Sequence, residues 1–333
     1  MKVLFIGGTG VISSACTALA ATRGIEMTLL NRGQSFRYQL PPNVQVIEGD
    51  IRDEDLVARV LEGRSFDVVV DWIAFNTEQI ATDIRLFSGK TRQFVFISSA
   101  SIYQSPSLFP VISESTPLVN PFWSYSRDKI ACEDALMKAY RNDGFPITIV
   151  RPSHTYDINI PTSIGGGYTV ADRILRGAPV IVHGDGTSLW TLTHSEDFAK
   201  GFVGLLGNER AIGHAFHITS DEQLTWDQIT DTLGEALGKT PNIVHIPSDF
   251  IAKFDAKTGA GLLGDKAKNA IFDNSKIKSF VPEFKATIPF REGVRRTLKW
   301  HDEDSSRKTV DAKTNEFLDK CLAAYNKAFE GLG

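Results

Sequence analysis

The sequence predicts an α/β fold: a doubly wound parallel sheet with helices on both faces, followed by a smaller C-terminal lobe. Three observations predict it. The buried-type strand Lys2-Val3-Leu4-Phe5-Ile6 runs straight into Gly7-Gly8-Thr9-Gly10 and then into a small-residue helical pattern from Ile12 to Thr22. Short apolar strand patterns then alternate with helical ones as far as about residue 156, the signature of strand–helix–strand units. Beyond that point the alternation lapses and glycine runs appear, Gly165-Gly166-Gly167 and the glycines from 259 to 264, which read as loops able to move over a cleft.

Composition narrows the function. With 333 residues and 42% hydrophobic content the chain can bury one large core plus a smaller lobe. Thirty-six basic residues against 40 acidic ones give a net charge of −4, which offers no general attraction for a polyanion, so nucleic acid is not the expected partner. Apolar runs such as Val68-Val69-Val70 fall far short of a membrane span, and a strand pattern from residue 2 leaves no room for a signal peptide. Cys16, Cys132 and Cys321 are odd in number and widely spaced, which fits reduced structural thiols and a cytoplasmic compartment. His154, His183 and His194 do not have metal-ligand spacing, so no metal site is expected.

In chain order, the glycine turn comes first. A pyrophosphate sits on a helix N-terminus only where the backbone turns sharply and no Cβ blocks its approach, so this turn reads as half of a dinucleotide-binding unit. A second strand, Glu26 to Leu30, ends in Asn31-Arg32-Gly33, where such folds usually carry an acid for the adenosine ribose. Here Asn31 can hydrogen-bond a hydroxyl and Arg32 can pair with a 2′-phosphate, which leans toward NADP over NAD; a solvated turn is the alternative reading. Pro41-Pro42 breaks the following loop, and a third strand, Val44 to Glu48, ends at Gly49-Asp50-Ile51-Arg52, placing a carboxylate where it can accept from an adenine amine.

Asp53 caps a short helix running to Leu61, and Phe66 to Asp71 form a fourth, fully apolar strand. Its exit, Asp71-Trp72-Ile73-Ala74-Phe75-Asn76, should border the cofactor, because ligands of open α/β sheets lie beyond the carboxyl ends of the strands. Trp72 and Phe75 read either as part of that border or as ordinary core. Gln93 to Ile97 form the fifth strand, which runs into Ser98-Ser99-Ala100-Ser101-Ile102-Tyr103. A proline-punctuated loop then leads to a long helix from Ser124 to about Tyr140. Tyr125 and Lys129, four residues apart, share one face of it. A phenol of pKa ~10 is a poor base near neutrality, and lowering it by about three units needs roughly 4 kcal/mol of stabilisation of the phenolate. A nearby ammonium, a positive nicotinamide and the helix start would each supply part of that.

Together these motifs resemble the extended short-chain dehydrogenase/reductase family in its epimerase/dehydratase branch, with its Rossmann-like fold. Downstream, Arg151-Pro152-Ser153-His154-Thr155-Tyr156, Gly184-Asp185-Gly186-Thr187, Asp273-Asn274-Ser275-Lys276, Arg291-Glu292-Gly293-Val294 and Trp300 extend the likeness to about residue 300. The resemblance implies a nucleotide domain over 1–156, to which the chain returns at about 190–222, and a substrate lobe with a C-terminal helix over 157–189 and 223–333. It implies Tyr125 as general acid/base, Lys129 as its tuner and a ribose ligand, and Ser99 as the hydroxyl that orients the substrate oxygen. NAD or NADP would be held by Gly7, Thr9, Gly10, Val11, Ile12, Asn31, Arg32, Asp50, Ile51, Ile73, Ala74, Tyr125, Lys129, Pro152 and Ser153. Phe75, Ser101, Trp123, His154 and Trp190 would face the substrate, with His154 alternatively a satisfied core histidine.

Three departures from the family pattern bear on substrate. Ser13 replaces the last glycine of the turn, which should loosen helix-to-sheet packing slightly. Ala100-Ser101 replace the acidic pair of 4,6-dehydratases, which disfavours expulsion of water. Trp190 stands where nucleotide-sugar enzymes place an arginine on the diphosphate, and an open indole face suits a bare sugar ring or an aromatic substrate.

The expected chemistry is therefore removal of a proton from a secondary alcohol by Tyr125 as hydride passes to the nicotinamide. Release of the ketone makes a dehydrogenase or reductase and its return makes an epimerase, with the lean toward epimerase-like sugar chemistry. The alternative is an NAD(P)-binding sensor or an RNA-binding, regulatory protein on the same fold. Asp197 to Leu206 read as a helix, Ala215 to Ile218 as a strand and Thr225 as a helix cap. From Lys313 to Leu332, Phe317, Leu318, Cys321, Leu322, Tyr325 and Phe329 form one helical stripe that packs either on its own lobe or on a second subunit. Relatives by resemblance dimerise through the tyrosine-bearing helix and a neighbour at about Thr77 to Phe87, so a homodimer is expected.

Overall fold

In the computed structural model, which describes residues 1–34, 37–328 and 330, seven parallel strands form the central sheet. They are β1 (Lys2–Ile6), β2 (Glu26–Asn31), β3 (Gln45–Glu48), β4 (Phe66–Asp71), β5 (Thr91–Ile97), β6 (Ile147–Pro152) and the returning strand Ala215–Ile218. The sheet runs from Ala215–Ile218 through β6, β5, β4, β1 and β2 to β3, so the strand order reverses beside β1 and opens a crevice at its carboxyl end.

Alternation along the strands explains why helices cover both faces. Val3 and Phe5 of β1, with Val68 and Val70 of β4, join the core beneath α1 (Val11–Thr22) and the helix Ser195–Leu205. Leu4 and Ile6, with Val69, join the opposite core beneath α2 (Glu54–Val60), α3 (Thr77–Phe87) and α4 (Ser124–Asp143). The middle of β1 and of β4 is therefore apolar at successive residues rather than at every second one. Asp53 caps α2 by accepting from the Leu56 amide at 3.0 Å, as its position suggests. Trp72 is core, its ring 5.5 Å from that of Phe5 and 4.9 Å from that of Phe202. Arg151 and Pro152 end β6.

A second hydrophobic core gathers Trp190, Trp226, Ile229, Phe290 and Val294 from segments after residue 157. Leu318, Cys321 and Leu322 of the terminal helix Ala312–Lys327 pack with Ile164, Ile181, Ile246 and Ile251. Of the two readings of that apolar stripe, its own lobe is the one it covers; Phe329 and Leu332 lie outside the described residues. The glycines from 259 to 264 are not a mobile loop. They lie in a helix, Ala256–Gly261, that continues as a π-helical turn, Leu262–Lys266. A Cβ on Gly259 would stand 2.3 Å from the Ala252 Cα, so this glycine serves close helix packing. Among the described residues no helix is long and apolar enough to cross a membrane.

Candidate active site

The glycine turn is built as the sequence requires. Gly7 and Gly8 have φ of 100° and 96°, and a Cβ on Gly8 would lie 2.7 Å from Leu29 Cδ2. α1 then starts with no acidic residue in its first turn, leaving its N-terminal dipole free to meet an anion. Ser13 does more than replace a glycine: its hydroxyl accepts from the Gly10 amide at 2.8 Å and caps the helix, so the substitution adds a bond where looser packing was expected. Beside the turn opens a cleft of about 520 Å³ lined by Gly7, Thr9, Asn31, Arg32, Asp50, Ile51, Ile73 and Phe75. Asn31 Oδ1 accepts from Gly33 N at 2.9 Å, which leaves the side-chain amide nitrogen as the group it can offer. Arg32 is largely exposed, with Nη1 3.9 Å from Asp50 Oδ2. A glycine-rich turn, an open helix start and a cleft reaching the ends of β2, β3 and β4 fit a dinucleotide.

A hydrogen-bonded set of hydroxyls lies at the next strand end. Ser99 caps the short turn Ala100–Ile102; its Oγ lies 2.9 Å from Ser101 Oγ, which in turn lies 2.8 Å from Ser126 Oγ on α4. One residue before Ser126 stands Tyr125, whose phenol is near enough to Ser99 for that hydroxyl to favour the phenolate. Burial raises the Tyr125 pKa above 10, the Ser99 hydroxyl pulls it down, and the carboxylate of Asp265 raises it further. Lys129 lies one helical turn further along α4. Its Nζ donates to the carbonyls of Ala74 and Ile97, both at 2.7 Å, and sits 5.9 Å from the Tyr125 ring centre and 4.7 Å from those of Phe75 and Phe96. Burial brings the ammonium itself down to about 8, with Asp71 opposing.

A second cavity, of about 340 Å³, opens on the other side of Tyr125, with Ile12, Ser99, Ser101, Trp123, Pro152, Ser153, His154 and Trp190 in its wall. Trp190 does not present an open indole face to it. Only 2% exposed, its ring lies 5.3 Å from that of Trp226, and its Nε1 donates to His154 Nδ1 at 3.1 Å. The indole is a structural wall because a buried N–H of this kind must find an acceptor. As His154 Nδ1 accepts, its proton sits on Nε2, and burial with nearby Lys266 pushes this imidazole down to about 3.

A family model, that of the NAD dependent epimerase/dehydratase family, matches residues 3–219. The chain belongs to this family. As a member of it, the chain is 25% identical over 290 residues to 2′-dehydrokanamycin reductase of Streptomyces kanamyceticus, covering 85% of this chain and 80% of the relative. It is 28% identical over 263 residues to the chloroplast stem-loop binding protein of 41 kDa b of Arabidopsis thaliana, covering 75% and 67%. In fold it is similar to UDP-glucuronic acid 4-epimerase from Bacillus cereus, solved with UDP-glucuronic acid and NAD, at a TM-score of 0.72 and 20% identity over 91% and 99% of the two chains.

Within this epimerase/dehydratase framework, three ionisable residues escape a reading of sequence alone. Asp71 and Asp83 are both wholly buried, one at the end of β4 and the other on α3. Burial raises both carboxyls, Asp83 well above the usual range with the charge of Asp71 adding to the rise. Asp83 carried a signal: it shares the 80, 83, 87 stripe with Ile80 and Phe87, where an apolar residue belongs. Asp265, from the π-helical turn, reaches the second cavity and is pushed up to about 7 by burial. Its neighbour Lys266 is lowered by burial and donates to the carbonyls of Thr162 and Ser163. Nothing in the local sequence of Gly264-Asp265-Lys266 marks it, because the contact is made across lobes. Among the described residues no group of three or more His, Cys, Asp or Glu is arranged to hold a metal ion.

Proposed function

We propose that the chain is an NAD(P)-dependent oxidoreductase or epimerase acting on a secondary alcohol of a sugar or sugar-like substrate, with Tyr125 as acid/base. The observation that carries this reading is the position of Tyr125, which lines the second cavity together with Ser99, while Phe75, 6.5 Å from its ring, lines the first. A bound nicotinamide would supply the hydride acceptor or donor. Gly7, Thr9, Gly10, Val11 and Ile12 would hold the dinucleotide at the turn, Asn31, Arg32, Asp50 and Ile51 its adenosine end, and Ile73, Ala74, Lys129, Pro152 and Ser153 the rest.

The chain's own residues divide the remaining work. Ser99 donates to the substrate oxygen and fixes it beside the phenol. Tyr125 takes the alcohol proton as the carbonyl forms and returns it in the reverse direction. Lys129, held on the carbonyls of Ala74 and Ile97, is in place to donate to a ribose hydroxyl and to favour the phenolate once a ligand displaces water. Ser101 and His154 Nε2 offer further polar contacts to the ring, and Phe75 and Trp123 offer apolar faces. Release of the ketone gives dehydrogenase or reductase activity; retention and re-reduction give epimerisation.

NADP is the favoured cofactor on this reading, with the exposed Arg32 as the 2′-phosphate partner, although the similar epimerase structure holds NAD. A homodimer through α3 and α4 and a reducing, cytoplasmic setting for the three buried thiols complete the proposal. A second reading, a regulatory nucleic-acid-binding protein, is favoured by the stem-loop binding relative and opposed by the net charge of −4. Energy transfer from tryptophan to added NADH or NADPH, followed by an activity screen over sugars and alcohols, tests the proposal: cofactor binding without turnover of any of them would sink it.

A further inference from the structure

The wall of the second cavity contains a carboxylate for which the reaction proposed above has no use. Asp265 lies on the π-helical turn Leu262–Lys266, and that turn is pinned rather than loose. Asn120 Nδ2 donates to Gly264 O at 2.6 Å and to Ser101 O at 2.8 Å, tying the turn to the serine loop. His183 Nε2 lies 2.9 Å from Lys266 O, and Trp226 Nε1 donates to the same carbonyl at 3.3 Å. Asp265 is thus held in a fixed place relative to Ser101 and Tyr125, and its charge raises the pKa of the Tyr125 phenol across the cavity.

Among the described residues none pairs with it directly. Among the described residues no hydrogen-bond donor reaches the Asp265 carboxylate and no Lys, Arg or His nitrogen lies within 4.0 Å of it. Lys266 points elsewhere, its Nζ 3.2 Å from Thr162 O, 3.4 Å from Ser163 O and 5.4 Å from the Trp226 ring centre. Lys266 also lines the cavity and its charge favours the ionised Asp265, but its Nζ is committed to backbone carbonyls; Ser99, Gln104, His154 and Asn269 of the same wall are polar and uncharged. A carboxylate in such a wall disfavours a ligand diphosphate by like-charge repulsion and favours a cation of hydrogen-bonding size. At about 340 Å³ the cavity is also at the small end for a small-molecule site.

We propose that Asp265 is a specificity-determining residue that pairs with an ammonium group, making an amino-substituted sugar or cyclitol, rather than a nucleotide sugar, the substrate class. The proposal rests on the oxidoreductase reading for the reaction, but its recognition step is independent of turnover. The carboxylate binds the amine in the ground state, while Ser99 and Tyr125 engage a neighbouring hydroxyl.

The test is a set of binding titrations in the presence of NAD, followed by tryptophan fluorescence from Trp123 and Trp190 in the cavity wall. Glucosamine, glucose and UDP-glucose serve as cationic, neutral and anionic probes. Glucosamine is expected to bind about tenfold tighter than glucose, the scale of one charge-assisted hydrogen bond, with UDP-glucose the weakest. Asp265→Asn should erase the glucosamine advantage and leave glucose affinity within about twofold, the unchanged glucose value showing that the variant folds. Three outcomes overturn the proposal: UDP-glucose binding tightest, equal affinity for the two sugars including none for either, or an Asp265→Asn variant that weakens both sugars alike. If Tyr125→Phe kept full turnover while the glucosamine preference stayed intact, the acid/base assignment would fall and the amine site would stand.

Discussion

Asp71 and Lys129 grip Ala74 from opposite sides. Asp71 Oδ1 accepts from the Ala74 amide at 3.0 Å, while Lys129 Nζ donates to the Ala74 carbonyl at 2.7 Å. A buried carboxyl on β4 and a buried ammonium on α4 thereby fix the turn that leaves the sheet beside the cofactor cleft. Lys129→Met should leave the carbonyls of Ala74 and Ile97 without their donor and cost roughly 1–3 kcal/mol, read as a fall in the urea midpoint. The same variant should lose cofactor affinity; unchanged values of both would show that the ammonium positions nothing.

Behind Asp71, the Asp83 carboxyl makes stability depend on pH in an unusual direction. Burial raises both groups, so the folded state binds protons more tightly than the unfolded chain does. Stability tied to this pair is fully present below the ordinary carboxyl value of 3.8 and is lost as pH rises through the folded values. Asp83→Asn, neutral at every pH and nearly isosteric, should flatten that fall and equal or exceed the natural chain in stability at pH 8. Urea midpoints measured from pH 5 to 8 decide it; a variant with the same slope as the natural chain would place the effect elsewhere.

Tyr125→Phe removes one oxygen and should leave the fold and cofactor binding intact while turnover drops at least about 10²-fold, the lower end for loss of a general acid/base. In the natural chain the phenol is raised by burial, so alcohol oxidation should quicken as pH climbs through the alkaline range. A flat rate–pH profile combined with normal turnover in the variant would exclude the phenol as the proton acceptor.

Much of this was legible from residue order alone, because strands buried on both faces must be apolar throughout and a glycine turn must lack side chains. The pairing of Tyr125 with Lys129 also follows from helical spacing, and the caps at Asp53 and Thr225 from residue type. What could not be read were relations between distant segments. Lys129 holds the carbonyls of Ala74 and Ile97, Trp190 finds Trp226 and His154 rather than solvent, and Asp265 crosses from the second lobe to the cavity. Glycine spacing misled at 259 to 264, since glycine serves tight packing of helices as readily as motion.

Histidines lowered by burial contribute to the acid limit, His154 and His183 most of all. His154 is held down to about 3 and His183 to about 4, both chiefly by burial, against 6.5 in the unfolded chain. The unfolded state therefore binds more protons, and stability present above 6.5 is lost as pH falls toward 4. Each group contributes a slope of about 1.4 kcal/mol per pH unit within its window. His154→Gln, which retains an acceptor for Trp190, should remove about one proton from the slope of unfolding free energy between pH 6 and 4; an unaltered slope would show that His154 does not control acid lability.

The choice between cofactors turns on Arg32. Its guanidinium is 3.9 Å from Asp50 and otherwise open at the mouth of the cleft, so pairing with Asp50 is weak and screened. A 2′-phosphate is a stronger partner, because its oxygens accept two parallel N–H bonds from the planar fork. Arg32→Ala should therefore raise the Kd for NADPH about tenfold or more and alter that for NADH by less than about threefold, as expected for loss of one charge-assisted contact. Asp50→Asn tests the same geometry from the other side: freeing Arg32 from its carboxylate should tighten NADPH and leave NADH nearly unchanged. Titrations of the natural chain and the two variants by energy transfer from tryptophan give all six constants, and equal shifts for the two cofactors would assign Arg32 to the shared part of the dinucleotide.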